Sequence, residues 1–281
     1  MKKRVVVFGA AGFVGSHIIK NLNPELYQVI PLSRQECDLA DKNCRAVIEK
    51  VVKDRDIVVC AAAKAPAKNL EMLAENVSMI SHIAEAVKHK RLSYLLNISS
   101  DAIYADAPDK INESSTIAPL NAHGIMHCMR EVILEKSLAP VGHLRPTLIY
   151  GKDDPHNGYG PNSFIRLARE GRNIELFGQG EEQRDHIYVG DVARLAIAMI
   201  TQKTQGAVNA VTGKTISFME IAELAAEATG GKIHITSKPR LGPMPHNGYR
   251  AFNNARARSV CPNLQFQDIG AYIGAMVKET V

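Results

Sequence analysis

No two of the chain's five cysteines stand as a CxxC pair: Cys37, Cys44, Cys60, Cys128 and Cys261 are scattered and odd in number. That argues against a disulfide framework or a cysteine-based zinc site, and fits reduced thiols in a cytoplasm. Basic residues form no run longer than Lys2-Lys3-Arg4, and a formal charge of +5 suits phosphorylated ligands at least as well as nucleic acid. No nucleic-acid partner is therefore expected. Apolar stretches fall short of the roughly 20 residues a membrane helix needs. The run Val5-Val6-Val7-Phe8 behind a basic start imitates a secretory leader, but Gly9, Gly12 and Gly15 interrupt it and no small-residue cleavage site follows. A soluble cytoplasmic protein without a membrane partner is the expectation. Repeats and low-complexity tracts are also missing. With 281 residues, 46% hydrophobic and 22% charged, the composition is globular and supports one large domain plus a smaller one.

What is present is alternation. Short apolar runs rich in branched residues lie at 4–8, 28–32, 57–61, 94–98 and 141–145, each bounded by turn residues. They predict buried parallel strands. Helical patterns separate them at 12–22, 41–53, 69–89 and 120–136. The fold class is α/β: a Rossmann doubly wound parallel sheet, followed by a smaller C-terminal α/β substrate domain. The nucleotide-binding domain is expected over 1–150, with 184–210 returning to it as a strand and a helix. Segments 151–183 and 211–281 are expected to form the small domain. They contain helices at 162–170, 217–229 and 268–278 and a strand at 232–236. Asp191, near the start of the returning helix, reads as its N-cap.

Gly9-Ala10-Ala11-Gly12-Phe13-Val14-Gly15 directly follows the first strand and opens a helix. The first glycine permits a tight turn, the second a close backbone approach to a pyrophosphate, and the third close helix–strand packing. The bland alternative is a glycine-rich turn with no ligand. About 20 residues on, where a carboxylate would hold the ribose of NAD, the sequence reads Ser33-Arg34. An arginine there can pair with a 2′-phosphate, so NADP(H) is favoured, with NAD(H) as the alternative. The opposing reading of Arg34 is a solvated surface residue.

Several segments together resemble extended short-chain dehydrogenase/reductases of the epimerase/dehydratase type, which modify nucleotide sugars. They are Gly9–Gly15, Asp38-Leu39, Ala61-Ala62-Ala63, Asn76, Ser99-Ser100 with Tyr104, Arg145-Pro146 with Tyr150-Gly151, and Gly178-Gln179-Gly180 with Arg184-Asp185 and Asp191. The resemblance implies a cofactor site formed by Gly9, Ala11, Gly12, Phe13, Val14, Gly15, Ser33, Arg34, Asp38, Leu39, Ala61, Ala62, Ala63, Asn76, Ser99, Arg145 and Pro146. It further implies that Ser100 is the catalytic serine, that Arg184 binds the substrate diphosphate, and that the protein is a homodimer. The dimer would form through the helices at 69–89 and 120–136. Ile83, Ala84, Val87, Met129 and Ile133 suit such a seam, although they suit packing on the sheet equally.

The departure from the resembling pattern is at its centre. Twenty-three residues after Ser100, where the family carries YxxxK, this chain reads His123-Gly124-Ile125-Met126-His127, with Glu131 following. Three readings stay open. His123 can act as general acid/base, with His127 bonded to a cofactor ribose, because an ordinary imidazole titrates near 6.5. The i,i+4 pair can bind a metal, but no third ligand is evident, and no metal site is assigned. Or the chain is a silent NADP(H)-binding sensor or scaffold, unless Tyr104 or Tyr150 supplies the chemistry. The retained substrate features favour the enzyme. Candidate substrate residues are Tyr104, Tyr150, His156, Asn157, Tyr159, Asn162, Arg184, Arg240 and His246. His17, His82 and His89 are assigned to helix surfaces or packing.

Overall fold

The computed structural model describes residues 2–155 and 158–279. Strands β1 (Lys3–Phe8), β2 (Tyr27–Leu32), β3 (Ile57–Cys60) and β4 (Tyr94–Ile98) are followed in turn by helices α1 (Phe13–Asn21), α2 (Cys44–Val51), α3 (Leu70–Val87) and α4 (Ala122–Leu134). After β5 (Val141–Pro146) come β6 (Leu148–Tyr150), α5 (Pro161–Arg169), β7 (Ile174–Phe177), β8 (Gln183–Arg184), β9 (His186–Tyr188), α6 (Val189–Gln202) and β10 (Gly206–Ala210). The chain ends through β11 (Ile216–Ser217), α7 (Phe218–Ala228), β12 (Ile235–Lys238), β13 (Tyr249–Arg250), α8 (Ala255–Val260) and α9 (Ile269–Lys278).

The main sheet is parallel, in the order β10-β5-β4-β3-β1-β2. Its strands are continuous apolar runs because both faces are covered. Val5 and Val7 enter the cluster on one face, while Val6 and Phe8 enter the cluster on the other. The chain crosses from β1 to β2 on one side, then returns to place β3 on the other. A crevice therefore opens beyond the carboxyl ends of β1 and β3, where ligands of such sheets bind. A separate apolar cluster joins Tyr150, Phe164, Leu176, Phe218, Ile221 and Tyr272. Ala257, Val260 and Leu264 pack with the main sheet instead.

The later segments depart from expectation in detail. The strand after Arg184 pairs with β6 rather than with the main sheet, and the return is made by α6 and then β10. Asp191 does not cap α6. Tyr188 occupies that position, and Asp191 lies inside the first turn, fully buried, accepting the backbone N–H of Gln267 at 2.8 Å and pairing with Arg194. The late strand begins at Ile235, three residues beyond the expected start, in register with β7. Ile83 and Val87 are sealed against the sheet, with Ala84 and Ile133 packed on the same cluster. Among the residues considered for a seam, Met129 is exposed, beside Ile125 and Val132 on α4.

Candidate functional site

The glycine turn has the shape its spacing predicts. Gly9 has φ +83°, and a Cβ there would lie 2.6 Å from the Ala62 nitrogen. A Cβ on Gly15 would lie 2.1 Å from the Gly9 carbonyl. No side chain fits at either position without moving backbone, so both positions require glycine. Gly12 caps α1 in an extended conformation with no side-chain cap, leaving first-turn N–H groups at Phe13, Val14 and Gly15 for an anion. Beside this turn lies a cavity of about 300 Å³ lined by Gly9, Ala11, Gly12, Ser33, Arg34 and Asp38, with Leu39 and Ala61–Ala63 along its walls. Backbone shape, volume and orphan amides all fit a dinucleotide.

Behind the cavity-lining Ser33, Glu36 accepts both its N–H (2.8 Å) and its hydroxyl, and these bonds hold the Glu36 carboxyl below the usual range. Arg34 is largely exposed and its Nε lies 3.2 Å from Asp38. Asn76 lines no part of the cleft. It is fully buried, accepting the Lys64 N–H at 2.8 Å and donating to the Lys64 carbonyl at 3.0 Å and the Met72 carbonyl at 2.8 Å. Its work is to hold the loop after β3.

The reacting end is assembled around Gly124. A Cβ there would lie 2.2 Å from the Ala102 carbonyl, so the missing side chain lets α4 press on the turn that Ser100 caps. The Ser100 hydroxyl accepts the Ala102 N–H at 3.1 Å. His123 and His127 sit edge to face, with ring centroids 4.7 Å apart. The Ala67 N–H points at His123 Nδ1 over a long 3.5 Å. His127 is buried, its Nδ1 has no partner, and burial together with His123 and Arg130 pushes its pKa well below the ordinary value. Among the described residues, no group of three or more His, Cys, Asp or Glu side chains is arranged to hold a metal.

Several expected site residues are structural instead. Tyr104 is 1% exposed, donates to Asn209 at 2.7 Å and accepts from Arg145 at 2.7 Å; burial raises its pKa. Tyr150 is equally buried, donates to the Gln267 carbonyl at 3.3 Å and is also raised by burial. Both phenol hydroxyls are buried and engaged by protein partners. Arg145 turns away from the cleft to Glu131, with contacts of 2.9 and 2.6 Å, and Ser99 donates to the same carboxylate at 2.5 Å. Pro146 closes the same buried strand. Tyr159 packs among Phe164, Phe177 and Phe218, and its hydroxyl accepts the Phe177 N–H. Asn162 braces the loop after β6 through Gly151 and Asp154. His156 and Asn157 lie outside the described residues.

The structure brings Arg184 and Arg240 together. Both reach Glu182, at 3.2 and 3.6 Å, and the Nε of each is buried without a partner. His246 bonds Asp106, and Arg250 donates to Asp101 at 3.0 Å and to Asp106 at 2.8 Å. Burial and the charges of Arg184 and Arg250 hold His246 below its ordinary pKa despite Asp106. Sequence reasoning missed Glu182, Asp106 and Arg250. Arg250 bonds a residue 149 positions away, a pairing no local pattern reveals.

A dTDP-4-dehydro-6-deoxy-D-allose reductase of Streptomyces bikiniensis is 24% identical, with 84% of each chain covered. A UDP-N-acetylglucosamine 4-epimerase of Methanobrevibacter ruminantium, solved with UDP-N-acetylmuramic acid, superimposes with a TM-score of 0.85 at 22% identity, covering 99% of this chain and 98% of that one. A UDP-glucose 4-epimerase of Thermus thermophilus, solved with NAD, gives 0.84 at 23% identity, covering 99% and 100%. Among the described residues, no helix is long and apolar enough to cross a membrane. Residues 5–211 match the NAD dependent epimerase/dehydratase family, and the chain belongs to it.

Proposed function

We propose that the chain interconverts a hydroxyl and a ketone on a nucleotide-activated sugar, as an epimerase, reductase or dehydratase. The observation that carries this reading is the pair of guanidinium groups at Arg184 and Arg240. They converge on the single carboxylate of Glu182, two cations against one anion, a clustering of charge that suits a diphosphate. The substrate named by relatives and neighbours is of that class. A catalytically silent sensor would have no use for such a site.

A bound nicotinamide supplies the hydride acceptor or donor. The backbone of Gly9–Gly15, with Ala61–Ala63, would hold the dinucleotide. Ser100 orients the reacting oxygen, and His123 exchanges the proton with it. NADP(H) is favoured over NAD(H) because Arg34 stands where a ribose-binding acid would, while Glu36 is occupied by Ser33. Residues 1–150 and 184–210 form the nucleotide-binding domain in this reading, and 151–183 with 211–281 the substrate side, apart from α8 and Leu264, which pack on the main sheet. The exposed stripe Ile125, Met129 and Val132 on α4 suits a homodimer seam, and light scattering that finds only monomer at micromolar concentration refutes that part. The cytoplasm is the proposed location, in keeping with five scattered free cysteines. Incubation with UDP- and dTDP-sugars plus each cofactor, read by NMR, tests the whole. A modified sugar is expected; no conversion and no sugar-nucleotide binding sinks it.

A further inference from the structure

Arg130 sits on α4 three residues beyond His127 and is 1% exposed. Other buried arginines of this chain have carboxylates: Arg145 has Glu131, Arg250 has Asp101, and Arg184 has Glu182. Arg130 has none among the described residues. Its Nη1 donates to the Ala62 carbonyl at 3.0 Å, and its Nη2 to the Cys60 carbonyl at 3.3 Å and Asn97 Oδ1 at 3.2 Å. Its Nε has no partner. No hidden thiolate balances the charge, because burial pushes the Cys60 thiol up to about 12.

A buried cation without an anion is costly, and a neutral side chain could join these strand ends without that cost. What the charge adds is position. Ala62 lines the nucleotide cavity, and the preceding turn of α4 presents His127, which is neutral and has an idle Nδ1. The resembling motif carries a lysine at position 127; this chain has a neutral imidazole there and a buried cation three residues further along the same helix.

We propose that Arg130 is the fixed cation of the nucleotide cleft, supplying from the next turn of α4 the charge that the resembling motif places at position 127. The inference rests on the nucleotide-site reading above. Arg130 is a positioning residue: it fixes the Ala62 backbone, and its field makes the cleft more favourable to an anionic dinucleotide. Carbonyls cannot neutralise that field as a carboxylate would.

The test separates charge from bracing. NADPH and NADH are titrated by calorimetry onto the parent, Arg130→Met, Arg130→Lys and the double variant His127→Lys/Arg130→Met, with a melting temperature for each. Arg130→Met should weaken dinucleotide binding roughly tenfold, the scale of one screened charge acting across a site, and Arg130→Lys should lose less. The double variant returns a charge but none of the three braces, so it should regain most of the affinity while still melting low. Arg130→Met binding like the parent, or a double variant binding no better than Arg130→Met, overturns the proposal. If Arg130→Met does not fold, Arg130→Gln takes its place in the same comparison. A parent that binds neither dinucleotide overturns the nucleotide-site reading as well.

Discussion

The two ends of the cleft are built on different principles. The nucleotide end consists of backbone: Gly9, Gly15 and Ala62 approach so closely that side chains are excluded. The reacting end consists of buried polar side chains satisfied over long sequence distances. Ser99, Glu131, Arg145, Tyr104 and Asn209 form one continuous hydrogen-bonded chain under the site. A ligand's place is defined at one end by what is missing. At the other it is defined by a network whose members must all be present.

The comparison breaks most sharply at His123. If this imidazole handles the proton, His123→Ala should cut turnover roughly 10²–10⁴-fold, the usual contribution of a positioned acid or base. Cofactor affinity should stay unchanged, since the backbone end is untouched. Turnover kinetics beside dinucleotide titration check both halves. An unaffected rate would pass the role to a water, because Tyr104 and Tyr150 are sealed away.

Next in size is the network itself. Glu131→Gln leaves the Arg145 guanidinium buried against a neutral amide, and breaking such a pair costs about 3–5 kcal/mol. Urea titration should record that loss with an unchanged slope. A loss below about 1 kcal/mol, the value typical of exposed pairs, would mean that the network is not a unit.

These two ends also explain what was legible in the sequence. The glycine turn is a local code, because each glycine answers a contact made within one βα unit. The strands read correctly because alternate residues of β1 are buried on opposite faces, which leaves an unbroken apolar run. Tyr104, Tyr150 and Arg145 occupy familiar motif positions, yet the motif does not state which way a side chain turns. Asn209, Glu131 and Gln267 decide that, and Asn209 and Gln267 lie more than a hundred residues from the tyrosines they hold. Arg130 gave no signal at all, since a lone arginine on a helix ordinarily marks a solvated face.

A third test concerns acid. His186 on β9 is buried against Arg184 and Phe218, and its pKa is pushed down to about 3. A depressed histidine is neutral when folded and takes up a proton when unfolded, so its share of stability is complete above about 6.5 and falls as pH drops toward 3. Between pH 6.5 and 5 the loss should be about 2 kcal/mol. Melting temperatures across that window should fall less steeply for His186→Gln. Parallel slopes would mean that His186 does not titrate differently in the two states.

The smallest effect belongs to Arg34, at the exposed edge of the backbone-built end. Its side chain is 72% exposed and already lies 3.2 Å from Asp38, so part of its charge is used and the rest is screened. A 2′-phosphate carries more charge than the single carboxylate it must displace and can take two parallel hydrogen bonds. Arg34→Ala should therefore weaken NADPH binding by about 1 kcal/mol, roughly fivefold, and leave NADH unchanged. Asp38→Asn should do the reverse, freeing the guanidinium and strengthening NADPH alone. Raising salt should shrink both differences, because the charges lie in water. Equal affinities for the two cofactors in the parent, untouched by either substitution, would make Arg34 a solvated surface residue and leave cofactor choice to the ribose contacts of the loop after β2.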